Sequence, residues 1–71
     1  MNMQITKDQL DRVTTEWANI AGEPLTIDAT DIDRPIYAMG SELACLRLEH
    51  KMQAGRASYS SNLKTWYYVN K

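Results

Sequence analysis

Cysteine and histidine are almost missing from this chain, which has one of each, Cys45 and His50. A lone thiol closes no internal disulfide, and one cysteine with one histidine falls short of the four ligands of a structural zinc site. Glycine occurs only at positions 22, 40 and 55, too dispersed to form a phosphate-cradling loop, so nucleotide hydrolysis has no support. No apolar run approaches the ~20 residues that span a bilayer, which argues against a membrane partner. The first twenty residues also lack the apolar segment of a secretory leader. Internal repeats and low-complexity segments are absent too. These absences point to a reducing cytoplasmic location and to a chain that needs neither cofactor nor metal.

What is present suits one globular domain over residues 1–71, with 44% hydrophobic and 24% charged residues. A core this small supplies only ~3–5 kcal/mol, so pairing with a partner or in a homodimer would add stability. Charge is uneven. Residues 1–33 hold seven acidic side chains against two basic ones, a net −5, while residues 34–71 hold six basic against two acidic, a net +4. If the fold keeps the halves apart, this polarity becomes a property of the surface.

The spacing predicts a first helix over about residues 7–21. Thr6 and Gln9 have the positions of a capping box, Ile5 and Leu10 those of a hydrophobic staple, and Gly22 with Pro24 ends the helix. Leu10, Val13, Trp17 and Ile20 fall on one face, with Ala21 beside it. Leu25, Ile27 and Ala29 alternate with polar residues as in a half-buried strand. Ile36 to Met39 fits either a second short strand or the first turn of a helix. Ser41 and Glu42 open a second helix that runs to about Gln53, with Ala54-Gly55 as its stop. Ala44, Cys45, Leu48 and Met52 lie on one side of it and Leu43 and Leu46 on the other, as in a central helix or one that keeps a face for a partner. Residues 56–60 and 65–69 flank the polar turn Ser61 to Lys64 as a β-hairpin. Trp66 and Tyr68 point one way, and Thr65, Tyr67 and Val69 the other.

The fold expected is therefore α+β, two helices packed on one face of a small antiparallel sheet with a C-terminal β-hairpin. Its expected core is Leu10, Val13, Trp17, Ile20, Leu25, Ile27, Ala44, Leu48, Met52 and Trp66.

Tests for catalytic chemistry fail. Five residues along a helix turn the chain by about 500°, so Cys45 and His50 face directions roughly 140° apart and form no nucleophile–base pair. Asp28, Asp31 and Asp33 lack the alternating ligands, glycine and distal glutamate of a calcium loop. Two binding surfaces remain as candidates. Glu23, Asp28, Asp31 and Asp33 form an acidic segment suited to a basic groove, although aspartates between elements commonly cap turns. Arg56, Tyr59, Lys64, Trp66, Tyr67, Tyr68 and Lys71 interleave charge with flat rings, as single-strand nucleic-acid surfaces do, although strands also use such rings for packing.

The stretches Gly40-Ser41-Glu42-Leu43-Ala44-Cys45-Leu46-Arg47-Leu48 and Tyr59-Ser60-Ser61-Asn62-Leu63-Lys64-Thr65-Trp66-Tyr67-Tyr68 resemble segments of small accessory proteins of tailed phages and prophages. The match covers under half the chain, and this diverse group shares no catalytic motif, so no residue role carries over. Many such proteins, anti-CRISPR proteins among them, bind and block a host machine. The resemblance implies a non-enzymatic inhibitor that occupies a surface of a host protein or nucleoprotein in the host cytoplasm. The alternative is a nucleic-acid-binding module that uses the hairpin.

Overall fold

A computed structural model of the chain describes residues 4–31 and 34–70. Helix α1 (Lys7–Ala21) begins where the capping box places it. Thr6 Oγ1 accepts the Gln9 amide at 3.1 Å, and Gln9 Oε1 accepts the Thr6 amide at 2.9 Å. Gly22 closes the helix in the left-handed region at φ 80°, where a side chain would be strained and would meet Arg47 Nη1. Its last turn carries no basic residue of its own; Arg47, from the next helix, donates to the Ala21 carbonyl at 3.1 Å instead.

Two strands follow, β1 (Thr26–Asp28) and β2 (Ile36–Gly40). The segment Ile36 to Met39 is therefore strand. β1 is shorter than the alternation of residues 25–29 suggests, because only its three central residues pair with β2. Helix α2 (Glu42–Met52) is capped by Ser41, whose Oγ accepts the Ala44 amide at 3.1 Å. It stops without a glycine: Gln53 itself adopts φ 56°, and Gly55 begins the next strand. The chain ends in the hairpin of β3 (Gly55–Ser60) and β4 (Thr65–Asn70).

The antiparallel sheet has the order β1-β2-β4-β3. Its register aligns side chains in transverse rows that alternate between the two faces. The row Ile27, Ala38, Tyr68, Ala57 faces the helices. There Trp17 meets Tyr68 edge to face with ring centroids 5.3 Å apart, and Ala44, Cys45 and Leu48 of α2 complete the buried cluster. Val13, Ile20, Leu25, Ile27, Met52 and Trp66 pack around it, as expected of them. Leu10 does not join this cluster and stays half-buried. Leu43 and Leu46 are exposed at 57% and 40%, so α2 is buried on one side only.

Close approaches explain the glycine at position 55 on the packed side. A Cβ at Gly55 would lie 2.1 Å from the Val69 carbonyl oxygen and 2.6 Å from the Tyr68 hydroxyl. The outer edge of β3 is partly closed by α2, because Glu49 Oε2 accepts the Ala57 amide at 2.7 Å.

Candidate partner-binding surface

The opposite face of the sheet carries no described helix. Two rows cross it: Asp28, Tyr37, Val69, Arg56, and then Thr26, Met39, Tyr67, Ser58. Both rows put apolar or aromatic residues on the inner strands β2 and β4 and polar ones on the edges. In the first row the edges differ in sign, with Asp28 on β1 and Arg56 on β3.

Tyr37 and Tyr67 stand side by side, ring centroids 6.2 Å apart and planes tilted by 44°. They line a cleft of about 300 Å³ with Met39, Leu63, Asp28 and Ser60. Tyr37 is 42% exposed. The cleft combines an aromatic floor, a carboxylate at one side and hydroxyls that accept or donate, a composition suited to binding.

The acidic candidates are dispersed by the fold. Glu23 is half-buried and accepts a hydrogen bond from the Ser41 hydroxyl, which supports the cap of α2. Asp28 is exposed on the open face. Asp31 bridges to Gln4, and its carbonyl accepts the Arg34 amide at 3.2 Å. Asp28 and Asp31 both lie near Thr30 and Arg34, so an arginine sits inside the acidic segment. Asp33 lies outside the described residues.

The basic-aromatic candidates divide between the faces. Arg56 and Tyr67 share the open face, and Lys64 is exposed in the hairpin turn at φ 55°. Tyr59 and Trp66 pair on the helix side, with rings 6.2 Å apart, and Tyr68 is sealed in the core. Lys71 lies outside the described residues. Sequence reasoning missed Tyr37, Met39 and Leu63. Once Ile36 to Gly40 is a strand, two-residue alternation places Tyr37 and Met39 on one face, so the signal was present in the undecided segment.

Cys45 is buried, its thiol pushed above the usual range by loss of solvent and by the nearby Glu23, and opposed by a backbone hydrogen bond at Gly40. His50 is exposed on α2. Among the described residues no cluster of three or more His, Cys, Asp or Glu could hold a metal ion, and no helix is long and apolar enough to cross a membrane.

Fold and surface together define a small α+β domain with helices on one side of its sheet and an aromatic face on the other. No protein-family model, curated protein or solved structure matches the chain.

Proposed function

We propose that this chain is a non-enzymatic binding protein whose open sheet face docks on a host protein or nucleoprotein, in the manner of phage-encoded inhibitors such as anti-CRISPR proteins. The Tyr37–Tyr67 pair on the face without a described helix carries this reading. Tyrosines supply large, stiff contact area at low entropic cost and recur in the centres of interfaces. Asp28 beside the pair selects a partner with a basic group near an apolar one. The acidic contribution to binding therefore centres on Asp28, with Glu23 acting inside the fold.

The nucleic-acid alternative draws on Arg56 and the two rings, which form a stacking platform on the same face. Charge disfavours it, because Asp28 stands at the cleft where a phosphate backbone would pass and the whole chain carries a net −1. Capture from host lysate with and without nuclease, using the native chain and the Tyr37→Asp/Tyr67→Asp variant, separates the readings. The expected result is a protein held by the native chain in both conditions and released by the variant. Capture that nuclease abolishes would favour nucleic acid, and equal capture by the variant would remove the sheet face from the account.

A further inference from the structure

The helical side carries a second surface. Leu43, Leu46, Arg47 and His50 follow one another at helical spacings of three, one and three, and form a stripe on the side of α2 turned away from Ala44, Cys45 and Leu48. Across from it stands Ile20 of α1, and between the helices runs a groove of about 590 Å³. Its floor is aliphatic, Ile20 with Leu43 and Leu46, and its rim is cationic, Arg47 and Lys51 with His50 between them. Among the described residues no carboxylate lines it.

We propose that this groove binds an acidic amphipathic helix of a protein partner. Two packed helices leave a trough between them, and a third helix can fill it with residues at i, i+3, i+4 and i+7. Leu43 and Leu46 are exposed in the free chain and gain burial only when the trough is filled. The rim fixes the sign of the partner, since glutamates flanking the incoming leucines meet Arg47 and Lys51. Arg47 is held in place for this by its bond to the Ala21 carbonyl. A second copy of the chain is a poor occupant, because a two-fold contact would bring the cationic rims together. Single-stranded nucleic acid is poorly served as well, since among the described residues the one ring that lines the groove is His50 at the rim, and the aliphatic floor offers a base nothing to stack on. The groove is distinct from the Tyr37–Tyr67 face, so both surfaces can be engaged at once.

The test is a titration of the full chain, labelled for amide NMR, with a stapled helical peptide of about 15 residues carrying leucines at the four anchor positions and glutamates beside them. A twin peptide with glutamine for each glutamate and a single-stranded oligonucleotide serve as comparison probes. The acidic peptide should shift the amides of Ile20, Leu43, Leu46 and Lys51 and leave Tyr37 and Tyr67 unmoved. The twin should bind about tenfold more weakly, and added salt should narrow that gap. Lys51→Glu and Leu46→Asp alter exposed side chains, so they should keep the helical circular dichroism and each weaken the peptide several-fold, while Tyr37→Asp leaves it unchanged. Equal affinity of the twins, absence of binding, or stronger shifts of the groove amides by the oligonucleotide would overturn the proposal. So would a dimer that Leu46→Asp dissociates.

Discussion

Neighbouring residues of β4 meet opposite fates. Tyr68 is sealed between Trp17 and the glycine gap at Gly55, and its hydroxyl finds no hydrogen-bond partner among the described residues. Tyr67, one residue earlier, lies beside Tyr37 on the side without a described helix. The same residue type thus supports folding on one face and is left over on the other. An aromatic-rich strand therefore says little about function until its register is known, because a shift of one residue would exchange the two roles.

Truncating the two tyrosines separately should have very unequal effects. Tyr68→Ala should cost about 3–5 kcal/mol, comparable with the whole stability of a domain this size, and leave the chain largely unfolded in a thermal melt. Tyr67→Ala should cost well under that and keep a cooperative transition. Similar losses at the two positions would show that the faces are not distinct.

Gly55→Ala probes the gap that receives Tyr68. The new methyl group would collide with backbone at Val69 as well as with the ring, so a loss of about 1–3 kcal/mol is expected, read as a lower denaturation midpoint. A neutral result would mean that β3 moves freely relative to β4.

Alkali should weaken the packed face. Burial raises the Tyr68 phenol above its ordinary 10.0, helped by the nearby Glu49, and burial raises the Cys45 thiol above 9.0. A raised value in the folded state means that the unfolded chain releases the proton first. Stability is then complete below about pH 9 and falls as pH climbs through the folded values. Denaturation curves across that window should flatten when Tyr68→Phe and Cys45→Ala are combined, and an unchanged slope would contradict the assignment.

How much of this was legible beforehand follows from where the signals are local. The α1 caps, the α2 cap and the hairpin turn depend on side chains within a few residues, and all could be read from Thr6, Gln9, Gly22, Ser41 and Ser61 to Lys64. The place of Ile36 to Gly40 is not local. It is strand because β4 pairs along its length and β1 along three residues, contacts that no short window contains. That one undecided segment concealed Tyr37 and the row joining Asp28 to Arg56. Tyr68 was missed from the core for the same reason, since its burial depends on a helix more than forty residues earlier in the chain supplying Trp17. The acidic segment looked continuous in sequence, but Glu23 was drawn to Ser41 and Arg34 was folded among the aspartates.

A smaller effect sharpens the comparison further. Tyr68→Phe removes a buried hydroxyl that has no partner among the described residues while keeping the ring against Trp17, so stability should stay level or rise by up to about 1 kcal/mol. A clear loss would reveal a hydrogen bond that the packed face depends on.

Our proposal is that the Tyr37–Tyr67 pair of the open face, which also holds the buried Val69, contributes little to folding and serves binding. It is tested most directly by chemical denaturation of the Tyr37→Asp/Tyr67→Asp variant alongside capture of the partner by the same protein. The variant should keep a denaturation slope like that of the native chain, with a midpoint only slightly lower, and lose capture. A variant that unfolds, or one that stays folded and still captures the partner, would contradict it.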